Sequence, residues 1–386
     1  MYTPETSRHF TKKIDPVTGM YYYVLSTRVA PIQQGFYFIN SGADESRRYL
    51  WFYCAFPPAE GHCAGVVDFA SDEIYCFRDT LGSGFMVDPL TGELYWGNSQ
   101  GIYRRAPHPD EKPQLVARMP EELKKMRPHS LGGTHLTFSP DRKELFVDVG
   151  TMKGSYLGTI DVASGTFTEW HHTVPGVNYN HGQYNPVDPD LAMCAHEMYF
   201  NEKLGKMVFP ELIDGVYPRI ELIHRDGKVD MIKPLNNFAS HEFWAPNGKS
   251  LYYCSSNQDL GQNFLDGSEP RLVCHIPVPG GTGNGVWHAH CTYDENYFIV
   301  DAAREPMWRG IASLIRFYNR KTDKICTLID NNPVVEGWSR ENQSIYHIDP
   351  HPRFIWNDEW VSFTTTVTGK VDVGLAPIQQ LIDATK

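Results

Sequence analysis

The chain has no long apolar run. No segment approaches the ~20 apolar residues needed to span a bilayer, so no membrane partner is expected. It is also short of basic charge: 35 Lys and Arg stand against 46 Asp and Glu, a net charge of −11. That balance argues against a nucleic-acid partner, and it obliges any anionic ligand to be met by a local cluster of Arg, Lys and His. The eight cysteines include no C-x-x-C pair and read as reduced core or strand residues, not a disulfide framework. No Walker A loop or dinucleotide fingerprint is present. The opening "MYTPETSRHFTKKID" lacks the apolar stretch of a secretory signal, so a cytoplasmic location is expected. Helical patterning is scarce, with "EELKKMRPHS" near residue 121 the best short candidate.

What is present is β-branched and aromatic residues in short runs, separated by Asp, Asn, Gly and Pro turns. This predicts an all-β protein. One unit recurs: an aromatic, a polar turn often containing Pro, then an alternating strand. It is clearest in "FSPDRKELFVDVG" (138–150), "YNPVDPDLAMCAH" (184–196) and "FWAPNGKSLYYCS" (243–255). Weaker copies lie at 40–56, 86–98, 291–302 and 353–365. Propeller blades are typically ~40–50 residues of four strands, so seven copies predict one seven-bladed β-propeller spanning 1–386. The early strand at 20–28 is expected to close the ring by pairing with the last blade.

A propeller gathers loops from every blade around a central funnel, which makes the histidines near these units worth comparing as one set. They are His135, His181, His196, His241, His288, His290, His347 and His351. Imidazole is both a common transition-metal ligand and the side chain titrating nearest neutrality. "HIDPHP" sets a carboxylate between two histidines, and in extended structure His347, Asp349 and His351 would share a face. On spacing alone this is a metal site or a structural loop. "GNSQG" (97–101) matches G-x-S-x-G, but it sits between "ELYW" and "IYRR" and reads as a β-turn rather than a nucleophile elbow.

The segments "HGQYNPVDPDLAMCAHE", "PRIELIHRDGK", "SHEFWAPNGKSLYY", "HAHCTYDENYFIVDA" and "DPHPRFIWNDEWVSFTTTVTGK", in that order, resemble the oligogalacturonate lyases. "DPVTGMYYYVLS" near the start is similar too. The resemblance implies a seven-bladed propeller that cleaves acidic galacturonate oligomers by β-elimination with a divalent metal, manganese in most members. It implies that His241 is the catalytic base, that Arg219 meets the substrate carboxylate, and that His288 and His351 bind metal. His181, Gln183, His196 and Glu197 fall in a family motif expected to line the substrate funnel.

The resemblance breaks at the metal motif. The family reads His-Pro-His-Pro where this chain has Asp349-Pro350-His351-Pro352, and it carries Gln where this chain has Tyr346. Asp349 is expected to replace a histidine ligand, since carboxylate oxygen also suits manganese. His347 or Gln343 would fill in for Tyr346. "APIQQGFYFIN" (30–40) also lacks the basic His-Arg pair that the family carries after its first strand. Digalacturonate is therefore the leading substrate, with another uronate-containing glycan, or a carbohydrate-binding propeller without turnover, as the alternatives.

Overall fold

The computed structural model describes residues 1–386 except 127, 202–203, 282–285 and 305–310. Among the described residues no helix is long and apolar enough to cross a membrane. The strands form a seven-bladed β-propeller, each blade an antiparallel sheet running outward from the centre. Blade 1 takes Ile32–Gln34, Tyr49–Ala55, His62–Asp68 and the first half of Glu73–Val87. That long strand bends at a register break and becomes the inner strand of blade 2, before Leu94–Asn98, Gly101–Arg105 and Gln114–Arg118. Blade 3 runs from Thr137–Phe138 to Phe167–His172, and blade 4 from Asn178–Tyr184 to Val229–Met231. Blade 5 runs from Ser240–Trp244 to Arg271–His275, and blade 6 from Val286–Cys291 to Lys324–Asn332. Blade 7 holds Arg353–Ile355, Trp360–Thr365 and Asp372–Pro377, and its fourth strand is Tyr21–Leu25, with Tyr23 opposite Leu375 and Val24 opposite Gly374. Phe10–Ile14 flanks that strand on the outside.

Alternation explains why these segments are strands although both their faces are buried. In Tyr297–Ala303, Phe298 and Val300 pack toward blade 5 while Ile299 packs toward blade 7. Every junction is filled in this way. Trp51 and Val66 meet Phe85 and Leu94; Tyr95 and Ile102 meet Leu145 and Val147; Phe146 and Leu157 meet Ala192 and Ile223. Met193 and Ile220 meet Leu251 and Tyr253; Tyr252 and Leu260 meet Phe298 and Val300; Phe317 meets Val361 and Phe363. The last junction joins blade 7 back to blade 1 through Leu25, Val373 and Leu375 against Leu50 and Phe52.

The recurring turn joins the inner strand to the second strand in each blade. It is closed by one backbone bond, seen as Ser139 N–H to Glu144 O, Asn185 to Leu191, Ala245 to Ser250 and Thr292 to Tyr297. "GNSQG" is the hairpin between Leu94–Asn98 and Gly101–Arg105, with Asn98 opposite Gly101. The cysteines are free thiols. "EELKKMRPHS" forms a single helical turn, Glu121–Lys124.

Candidate metal centre and acid–base site

Four residues before each of those closing turn residues stands a histidine: His135, His181, His241 and His288 in blades 3, 4, 5 and 6. An inner-strand bulge aims three of them inward. Register breaks fall between Asn180 and Gln183, Ser240 and Phe243, and Val286 and Ala289. A bulge inserts an unpaired residue and re-aims its side chain. His181 and His241 both take φ 53°, the left-handed region that non-glycine residues adopt at a cost of about 1 kcal/mol or more. Backbone strain thus accompanies two of the histidines that the bulges turn inward.

His288 is fixed from behind. Asp301, on the second strand of the same blade, accepts from His288 N–H at 2.9 Å and pairs with His288 Nδ1 at 2.8 Å. That contact makes Nδ1 the protonated nitrogen and leaves the lone pair on Nε2, which is buried and has no hydrogen-bond partner among the described residues. Asp301 also accepts from His351 N–H at 3.1 Å and so ties blade 7 to blade 6. Asp148 holds the equivalent place in blade 3, accepting from Thr134 N–H at 2.7 Å and from Gly182 N–H of blade 4 at 2.9 Å. Burial pushes its carboxyl up to about 6, against the pull of those hydrogen bonds.

Ligand atoms of His288, His347, Asp349 and His351 all lie within 4.8 Å of one another. The three in blade 7 do not converge through strand alternation. The helix Arg340–Ile345, capped by Ser339, delivers a loop in which His347 and His351 have φ 51° and 43°. Two left-handed residues turn the chain back on itself, so side chains four apart meet around Asp349. His347 Nε2 stands 3.1 Å from Asp349 Oδ2, and His351 Nε2 stands 3.9 Å away. Burial opposes the charge of Asp349, yet the three histidines around it hold its carboxyl well below the usual range. Three imidazoles and a carboxylate are the nitrogen and oxygen donors that suit a divalent transition metal. The unpartnered His288 Nε2, backed by a carboxylate, is how a metal-binding histidine is normally supported. The residues present therefore fit a metal.

His241 lies against this cluster, its ring centroid 4.4 Å from that of His288, with Nδ1 3.0 Å from Ser240 Oγ. Burial, then the neighbouring His288 and Arg219, push its pKa well below the ordinary value, so the ring is neutral. Arg219 is buried between two carboxylates, ion-paired to Glu197 and to Glu242, the latter at 2.9 Å. Burial works against its charge, but Glu242 and Glu197 outweigh that and raise its pKa. His181 borders the open cleft of about 750 Å³ beside the cluster, together with His62, His135 and His347.

The structure thus brings His288, His347, Asp349 and His351 together, with His241 alongside and Arg219, Glu197 and His181 nearby. Two residues of the same motif are placed elsewhere. The Gln183 amide donates to the Glu242 carbonyl at 2.9 Å, and His196 pairs with Glu221 at 3.2 Å within blade 4. Tyr346 packs in an apolar cluster with Ile32, Val335 and Ile348. Gln343 is buried and lines a pocket with His288 and Asp349.

Sequence reasoning missed Tyr37, Asp301 and Glu242. Tyr37 is a hub: its ring centroid is within 5.8 Å of those of His135, His181, His288, His347 and His351. Asp301 could have been found, because "FVDVG" (146–150) and "IVDAA" (299–303) repeat one acidic position in the second strand.

No family model matches the chain. The oligogalacturonate lyase of Dickeya dadantii (strain 3937) is 27% identical to it over 219 residues, covering 51% of this chain and 49% of that protein. The likeness is to the oligogalacturonate lyases. The match spans about half the length of that curated relative. Solved structures extend the likeness in fold to nearly the whole chain. An oligogalacturonate lyase in complex with manganese gives a TM-score of 0.71 over 95% of this chain and 96% of that one, at 18% identity. Oligogalacturonate lyase from Vibrio parahaemolyticus gives 0.73 over 98% of each chain, at 17% identity. At those identities the structures establish the propeller.

Proposed function

We propose that the protein is a lyase that cleaves a uronate-containing oligosaccharide, galacturonate oligomers first among them, by β-elimination. A divalent cation would be held by His288, His347, Asp349 and His351. The observation that carries this reading is the convergence of those four groups within 4.8 Å, with a neutral His241 packed against His288.

The proton on C5 of a uronate is α to a carboxylate and weakly acidic. A bound divalent metal supplies Lewis-acid neutralisation of that carboxylate. His241 is the base: with Nδ1 protonated toward Ser240 Oγ, Nε2 takes the C5 proton. A positioned base of this kind contributes ~10²–10⁴-fold. The electron pair then expels the C4 oxygen and leaves a 4,5-unsaturated uronate. Arg219 joins by donating to the substrate carboxylate in place of Glu197, whose side chain is 23% exposed, while Glu242, 1% exposed, keeps its hold from behind. Tyr37, packed among the histidines, positions their rings.

The test is incubation of chelator-treated protein with a panel of uronate oligomers, with and without added manganese, following the ultraviolet absorbance of the conjugated product. Metal-dependent growth of that signal is expected, together with its loss in His241→Ala while manganese binding persists. Saturated products, or binding without turnover across the panel, would reject the lyase.

A further inference from the structure

We propose that the end of the central channel away from the histidine–aspartate cluster is a second binding site, which takes one sugar acid. The inner strands supply the geometry. Tyr37, His135, His181, His241, His288 and His351 stand at the funnel. The residues two further along, namely Ile39, Thr137, Gln183, Phe243, His290 and Arg353, line another open cleft, of about 900 Å³. Pro186, Pro246 and Tyr293 of the recurring turns edge it, so it opens where those turns gather. Among the described residues the two clefts share no lining side chain.

Arg353 is the anchor. It begins the inner strand of blade 7, and its Nη1 donates to the carbonyls of Phe38 and Ile39, each at 2.6 Å. Among the described residues its buried Nε has no partner, Nη2 makes no hydrogen bond, and no carboxylate pairs with the group. Arg219, by contrast, is held by two carboxylates. A guanidinium drawn partly out of water without a counter-ion is costly, and a carboxylate is the partner that its N–H groups match. His290 adds a second donor from the adjoining inner strand, of blade 6. Its Nδ1 accepts from Phe354 N–H at 3.4 Å, which puts the ring proton on Nε2. That nitrogen makes no hydrogen bond among the described residues.

Two further groups select the kind of carboxylate. Asp358 lines the same cleft, spends Oδ2 on Tyr293 N–H at 2.6 Å and keeps Oδ1 for a donor. It repels a bare anion, whereas the hydroxyl of a hydroxylated acid gives it a hydrogen bond. Tyr293, 80% exposed, stands at the rim, and its ring suits the apolar face of a sugar. Carboxylate, hydroxyl and ring face together describe a sugar acid. None of these groups belongs to the funnel, so the site does not rest on the lyase reading.

The test is calorimetry of the full-length protein with the monosaccharide galacturonate, which has no glycosidic bond to cleave. Saturable binding is expected, ~10-fold weaker or more in Arg353→Gln and ~3-fold weaker in Tyr293→Ala, with Mn²⁺ affinity unchanged in both. Galactose, without the carboxylate, and acetate, without the ring, should each bind ~10-fold more weakly than galacturonate. Equal galacturonate affinity in Arg353→Gln and the parent protein would overturn the site. Loss of Mn²⁺ binding alongside galacturonate binding would overturn it too, by placing the signal in the funnel. Acetate binding as tightly as galacturonate would reject the sugar acid. Should Arg353→Gln fail to fold, Tyr293→Ala at the exposed rim decides, and an unchanged affinity rejects the site.

Discussion

Asp301 touches no ligand-binding atom directly, yet it fixes the protonated nitrogen of His288 and the backbone of His351 together. Asp301→Asn puts a donor where an acceptor is needed, and Mn²⁺ affinity measured by calorimetry should fall ~10–100-fold, the usual cost of a lost supporting carboxylate. An unchanged affinity would show that the cluster does not depend on this support. Glu197 offers a second measurement at this scale. Burial alone would raise its pKa, but the Arg219 charge outweighs it and brings the carboxyl from 4.5 to about 2. The folded value lies below the unfolded one, so the stabilisation is present above about pH 4.5 and is lost as pH falls toward 2. In urea unfolding, the advantage of the parent protein over Glu197→Gln should shrink by about 2–3 kcal/mol across that window. A difference that stays constant with pH would assign the effect to packing.

At the scale of the element, the loops that carry the histidines depend on glycines with no room for a side chain. Gly133 has φ 55°, and a Cβ there would fall 1.7 Å from Asp148 Oδ1. Gly133→Ala should expel the Asp148 clamp and cost about 2–3 kcal/mol, whereas Gly150→Ala, where a Cβ meets nothing within 4 Å, should stay within ~0.5 kcal/mol. Paired thermal melts check this, and equal shifts would contradict it. Turn chemistry is local, which is why all seven aromatic–turn–strand units could be read from sequence, each now the inner hairpin of a blade. The bulges are not local. Whether His241 lies along its strand or turns into the funnel depends on a register break against Ser250–Cys254 that no pattern in "SHEFW" announces. Alternation in "HIDPHP" suggested a strand, and the convergence instead comes from two left-handed histidines in a loop. Tyr37 was hidden for the same reason: "GFYFIN" gains meaning only when five histidines from blades 3, 4, 6 and 7 close around it.

For the molecule as a whole, four histidines, His62, His135, His241 and His290, are held uncharged. Burial and then His347 bring His62 from 6.5 down to about 4, and burial holds His135, His241 and His290 well below the ordinary value. Each takes up a proton more readily when unfolded, so stability rises with pH and is lost as pH falls from about 6.5 toward 4. The urea midpoint of the metal-free protein should drop steeply between about pH 7 and 5 with little change in slope, and His62→Gln should blunt that drop. A flat profile would mean that these rings are already protonated in the folded state.

The seam in blade 7 sets the order of assembly. Tyr21 N–H bonds the side chain of Gln380, 359 positions along the chain, and Tyr23 pairs with Leu375. The strand made among the first pairs only with its neighbour Phe10–Ile14 until nearly the last strand exists, so its contact with Asp372–Pro377 carries the largest loop-closure entropy in the sheet system. Six blade junctions can form in sequence order, each against a neighbour already made. The seventh is available only at the end, and until then Leu25, Leu50 and Phe52 present an open apolar edge to solvent and to other chains.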